Sequence, residues 1–230
     1  MYRIFRQSSP EEEYTRTGTA KPVILDFNEV ADMELRRCAW CCDGGMSQKY
    51  HDEEWGVPLH DDQKHFEFLM MEAMQCGLSW SLMLKKREIF RQCFSGFDFH
   101  AVAGFTEADI DRILNTDGMI RSRRKVCAVI RNAGCFLQII AEFGSFDKYL
   151  WSFSGGKTCV YRKHWQGCWE TRNELSDRVS ADLKKRGFQY LGSVTVFSHL
   201  QACGIINDHD PDCWMYAPLI READVLFIDD

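Results

Sequence analysis

No uncharged apolar run in the 230 residues approaches the ~20 needed to cross a bilayer. The first residues, MYRIFRQSSPEEEYTR, also lack the apolar core of a signal peptide. A membrane or secreted protein is therefore not expected, and the cytoplasm is the expected compartment. Positive charge is in deficit, with 28 Lys and Arg against 34 Asp and Glu, for a net charge of −6. That removes bulk attraction to nucleic acid but leaves room for a local basic face. Few stretches alternate with the period of a strand, and no internal repeat is visible, so a sheet-rich or solenoid architecture is not expected. Cysteine, by contrast, is plentiful at eleven, and aromatics reach 13% with seven Trp. In a reducing compartment such cysteines serve as core residues, metal ligands or reactive thiols.

The pattern divides the chain into an N-terminal extension at 1–33, partly flexible, a helical domain at 34–216 and a C-terminal tail at 217–230. Ser8-Ser9-Pro10 and Glu11-Glu12-Glu13 read as solvated, and Val23-Ile24-Leu25 as a short strand or docking segment at most. Asp61-Asp62 starts a helix carrying Phe66, Leu69, Met70, Ala73 and Cys76 at helical spacing. Gly77-Leu78-Ser79 interrupts it before a second helix from Trp80. Thr106-x-x-Asp109 is a capping box, and a long helix places Val126, Val129, Ile130, Ala133 and Phe136 on one face. Residues 154–173 show no period and read as a loop, Ser176 is the expected cap of the next helix, and an apolar helix covers 193–203. The expected class is mainly α, built as two packed helical lobes.

Several constellations could carry chemistry. Cys38 and His51 lie at the start of the domain and His209-x-x-x-Cys213 at its end. Together they would supply the four N and S donors that tetrahedral Zn²⁺ takes. Cys38-x-x-Cys41 and His164-x-x-x-Cys168 are competing pairs. Glu72 lies at the rim of an apolar helix stripe, where a carboxylate is either solvated or turned into a cleft. Trp40, Tyr50 and Trp80 offer faces for a planar ligand, or core packing. A capped helix at 106–116, a tight turn at Asp117-Gly118-Met119-Ile120 and a helix opening Arg121-Ser122-Arg123-Arg124-Lys125 form a helix–hairpin–helix pattern. Backbone N–H groups at such a turn can hold a DNA phosphate.

RCAW at 37–40, YHDEEWGVP at 50–58, MEAMQCGLSW at 71–80, MIRSRRK at 119–125 and LKKRGFQYLGSVTVFS at 183–198 occur in order, followed by QACGIINDHDPDC at 201–213. This series closely resembles the bacterial 3-methyladenine DNA glycosylase I (Tag) family, across about residues 37–213. The resemblance implies a helix–hairpin–helix DNA glycosylase that removes 3-methyladenine from alkylated double-stranded DNA and leaves an abasic site. It implies one structural zinc on Cys38, His51, His209 and Cys213. Glu72 would bond the flipped base, with Tyr50, Trp80 and Trp40 forming the pocket; Glu72 and Tyr50 are the residues assigned to catalysis. Gly77, Leu78, Gly118, Ile120, Arg121 and Lys125 would contact DNA, with Leu78 as a wedge and Lys125 at a phosphate, so no lyase step is expected. Asp147 is the nearest candidate for the aspartate that broader-acting members of the superfamily use, but the resemblance does not imply its use. Free 3-methyladenine would be the product and a monomer the working form.

Two positions depart from the pattern: Ser47 stands where the family commonly has Tyr, and His199 where it typically has Phe. The rival reading is a non-catalytic, zinc-stabilised DNA-binding protein that has kept this fold. A metallohydrolase ranks last, because four protein ligands leave no open position for water.

Overall fold

Asp61 begins the central helix by accepting a hydrogen bond from the Lys64 amide at 2.7 Å. Helix α2 then runs Asp62–Gln75, and every residue from His65 to Met74 is buried. The computed structural model describes residues 35–42, 45–168 and 170–229. The readings placed on 1–33 therefore lie outside the described residues. Helix α1 spans Met46–Glu53 and precedes α2. Ser79 caps α3, Trp80–Cys93, by accepting from the Leu82 amide at 3.3 Å. A short α4, Phe99–Ala103, follows.

Thr106 and Asp109 form the expected capping box at the start of α5, Glu107–Asn115. After the turn, α6 runs Arg123–Phe143 and stops at Gly144 in the left-handed region. Arg121 thus lies ahead of the helix rather than opening it. By length and composition α6 could cross a bilayer, but it buries Val126, Val129, Ala133 and Phe136 in the core. Phe136 stacks on Phe146 of α7, Phe146–Ser152, with centroids 4.1 Å apart, and meets Phe66 of α2 edge-on at 5.2 Å. Burying each such ring stabilises the fold by roughly 1.5–3 kcal/mol.

The expected loop at 154–173 instead contains strand β1, Thr158–Tyr161. Its partner β2, Val225–Ile228, comes from the segment set apart as a tail and pairs with it in parallel, Thr158 opposite Val225 and Tyr161 opposite Ile228. All of β1 is buried, so the strand carries no polar–apolar alternation to betray it. Asn173, not Ser176, caps α8, Glu174–Lys185. The two residues exchange side chain-to-backbone hydrogen bonds at 2.9 Å, which gives Ser176 the third position of a capping box. Helix α9, Ser193–Ala202, packs on α2, and α10, Tyr216–Glu222, leads into β2. Arg36–Asp230 form a single unit, and the class is mainly α, with ten α-helices among the described residues.

Candidate functional site

Glu72 is 4% exposed on the most deeply buried helix. The rim of the apolar stripe therefore leads into a cleft and not to bulk water. Burial alone raises its carboxyl pKa to about 8, because taking the anion out of water disfavours it. The cleft, of about 580 Å³, is lined by Trp40, Tyr50, Trp55, Glu72, Gln75 and Trp80, together with Asp208 and Asp210.

Tyr50 from α1 and Trp80 from α3 face one another with centroids 5.3 Å apart and planes at 52°. Burial, followed by the nearby Glu72 carboxylate, keeps the Tyr50 phenol protonated well above its usual range. The Trp80 indole N–H is buried without a hydrogen-bond partner. Trp40 is 44% exposed and leans edge-on against Trp55 at 5.0 Å. Trp40, Tyr50, Glu72 and Trp80 are thus brought together as expected. Trp55 and Gln75 were not singled out from the sequence, although Trp55 lies within the quoted YHDEEWGVP run. Ser47 is buried in α1 but does not line the cleft.

Beside this cleft, and sharing Cys38 with its wall, Cys38, His51, His209 and Cys213 converge; all are buried. The Cys213 sulfur lies 3.4 Å from Nε2 of His51 and 3.5 Å from Nδ1 of His209. Cys38 Sγ lies 3.5 Å from the same Nδ1. The other nitrogen of each ring is oriented from outside. Nδ1 of His51 bonds Asp52 at 2.8 Å, and Nε2 of His209 bonds the Trp55 carbonyl at 3.1 Å. Such outer bonds fix the tautomer that points a lone pair inward. Asp52 is held in turn by Arg37 at 3.0 Å. The Cys213 thiol is driven far down, first by the hydrogen bond from Cys38 and then, against burial, by the two imidazoles.

The competing pairs do not form ligand sets. Cys41 Sγ donates to the Cys38 carbonyl at 3.0 Å, His164 bonds Asp208 at 2.6 Å, and Cys168 is exposed. The four converging residues could hold one metal ion.

A third group sits at the junction of α2 and α3. Gly77 adopts φ +83°, and Leu78 is exposed at 36%. Gly118 in the α5–α6 turn adopts φ +77°, and a Cβ there would come 2.7 Å from Cδ1 of Ile89. Lys86 donates to the Gly118 carbonyl. The Lys125 amine, assigned to a phosphate by resemblance, donates at 2.7 Å to the carbonyls of both Met74 and Cys76. It thereby ties the start of α6 to the end of α2, just ahead of the Gly77-Leu78 junction. Ile120 is half-buried and Arg121 exposed, while Arg123 is engaged by Glu107 and Asp111. Asp147 bonds His60 and His65 and does not line the cleft.

The profile of the methyladenine glycosylase family matches residues 40–216. DNA-3-methyladenine glycosylase 1 of Escherichia coli (strain K12) is 40% identical over 182 residues, covering 79% of this chain and 97% of that protein. A crystal structure of 3-methyladenine DNA glycosylase I (TAG) superposes with a TM-score of 0.73 at 39% identity, covering 79% of this chain and all of that one. A Staphylococcus aureus TAG structure described as the basis of 3-methyladenine recognition gives 0.73 at 36% identity, covering 78% and 96%. On these matches, this chain belongs to the methyladenine glycosylase family.

Proposed function

We propose that this protein excises 3-methyladenine from alkylated double-stranded DNA by hydrolysing the N-glycosidic bond, leaving an abasic site. The observation that carries this reading is Glu72: a buried carboxylate, raised by burial alone, beside the Tyr50 and Trp80 rings. Such a group suits a cation that stacks and donates.

Methylation at N3 makes the adenine cationic and weakens its bond to the sugar, so the base needs little protonation to leave. The enzyme's work is to extrude the base, recognise it and place charge. The aromatic faces attract a cationic ring more than a neutral one. The Glu72 carboxylate accepts from its exocyclic amine and is ionised by the charge it receives. Bond cleavage sends the electron pair to the departing base nitrogen and leaves positive charge on the sugar, to which water adds with loss of a proton. The protonated Tyr50 phenol donates and does not act as a base. Trp40, at the mouth, covers the base.

The α5–turn–α6 segment serves as the helix–hairpin–helix of a two-lobed fold. Gly118, Ile120 and Arg121 lie against a phosphate, with Lys125 buttressing the turn and offering it a remaining N–H. Gly77 and Leu78 form the wedge that fills the vacated stack.

The ion held by Cys38, His51, His209 and Cys213 is zinc. Two sulfurs, two nitrogens and a hydrogen bond behind each imidazole suit its tetrahedral preference. Four protein ligands close its coordination, so it fastens the two ends of the domain together and takes no part in the chemistry. The protein works as a cytoplasmic monomer and releases free 3-methyladenine.

The test is base release from methylated duplex DNA by the wild type and Glu72→Ala. Wild type should release 3-methyladenine, and the variant should fold, keep its metal and release at least tenfold more slowly. Duplex binding without release by the wild type would establish the non-catalytic reading instead.

A further inference from the structure

Away from the cleft, α2 and α9 bring a second set of metal-binding atoms together. His65, His199 and Cys203 are each at most 1% exposed. One ring nitrogen from each histidine and the thiol sulfur lie within 4.8 Å of one another. Nδ1 of His65 and both nitrogens of His199 are buried with no hydrogen-bond partner. Buried polar atoms are nearly always satisfied, so three orphans in one cluster call for an occupant.

The surroundings select the lone pairs. Nε2 of His65 faces Oδ1 of Asp147 at 3.4 Å, and that carboxylate also bonds Nδ1 of His60 at 3.0 Å. With its proton directed at Asp147, His65 turns the Nδ1 lone pair to the cluster, the carboxylate–histidine arrangement found behind metal ligands. Burial, with His65 nearby, holds His199 far below its usual pKa, so its ring is neutral and carries a free lone pair. Burial pushes the Cys203 thiol up to about 12, so a cation bound to sulfur would be needed to ionise it at neutral pH.

We propose that His65, His199 and Cys203 form a second site, distinct from the Cys38–Cys213 cluster, for a soft d¹⁰ cation, Cu⁺ or Zn²⁺. Imidazole and thiolate together suit these ions. As the metal–sulfur bond forms, the Cys203 proton passes to solvent and nothing is oxidised or reduced. Three donors complete a trigonal shell for Cu⁺, and one thiolate neutralises its charge. For Zn²⁺, which takes four donors, the Asp147 carboxylate behind His65 would offset the second charge and a water would complete the shell. Bond lengths of ~2.0–2.3 Å require the cluster to contract by about 1 Å.

Because the ligands are closed to solvent, loading is tested by refolding. The full chain is refolded with Zn²⁺ alone, or with Zn²⁺ and Cu⁺ under reductant, then desalted, and its metal counted per chain. The wild type should hold two equivalents, whereas His199→Phe and Cys203→Ala should each hold one, with base release unchanged. A second equivalent in the zinc arm identifies Zn²⁺, and one seen only with copper identifies Cu⁺; either supports the site. A wild type holding one equivalent in both arms, or variants that keep the second, would overturn it.

Discussion

A methyl group on the α-carbon of Gly56 would sit 2.6 Å from Nε2 of the His209 ring. Gly56 also adopts φ +80°, a conformation that strains any residue with a Cβ. The glycine in YHDEEWGVP is thus part of the metal cluster's wall. Gly56→Ala should lose about 2–4 kcal/mol of stability, from strain and displacement of the imidazole together. Thermal unfolding with and without a chelator checks this. The variant should unfold earlier and respond less to the chelator, because an ion on a displaced His209 would be held weakly.

Asp52 joins His51 to Arg37 and touches no ligand lone pair. Asp52→Asn should weaken metal binding by about 10–100-fold, the usual cost of removing a bond behind a ligating histidine. Competition against a chromogenic chelator measures it. With metal in excess, base release should return to the wild-type rate, the outcome expected of an ion with a purely structural role.

Glu72 links pH to both stability and rate. Its pKa rises from 4.5 to about 8 on folding. Between those values the folded protein keeps a proton that the unfolded chain releases, so this group's contribution is full below about 4.5 and lost as pH rises through about 8. Glu72→Gln has no such loss, and its stability relative to wild type should grow across that window by on the order of 5 kcal/mol. Excision should run the other way, because the proposed working form is the carboxylate. kcat/KM of the wild type should climb towards a plateau above pH 8, while kcat, read with the cationic base already bound, should climb at lower pH. A kcat/KM profile flat from pH 6 to 9 would sink this assignment.

Leu78 is apolar and exposed at a junction fastened by Lys125 to the start of α6. Leu78→Ala should slow excision from duplex DNA roughly tenfold, corresponding to ~1.4 kcal/mol of lost extrusion. Binding of free 3-methyladenine should stay within twofold of wild type, as read by tryptophan fluorescence. Equal losses in both would place Leu78 in the pocket instead.

Helices were legible from sequence because their signals are local. Asp61, the Thr106–Asp109 box and the α6 stripe each announce an element within a few residues. Strand β1 was not legible, because four residues buried throughout and paired with a segment far along the chain leave no local pattern. In the site, family motifs identified the residues, and geometry supplied what motifs do not carry. Burial of α2 decides that Glu72 faces a cleft, and two hydrogen bonds give Lys125 a part in joining α6 to the end of α2 that no motif announces. The His65–His199–Cys203 cluster went unseen because its members come from two stretches far apart in the chain, His65 on α2 and His199-x-x-x-Cys203 at the end of α9.

The first metal cluster joins residues far apart in the chain, Cys38 to His209 across 171 positions and His51 to Cys213 across 162. During synthesis neither half can close until nearly the whole domain has emerged. A fragment cut off before His209 would carry the aromatic pocket and Glu72 but only half a ligand set. An ion held by all four residues would therefore record whether the domain was made in full, and truncated copies, which cannot close the cluster, should be more open to proteases.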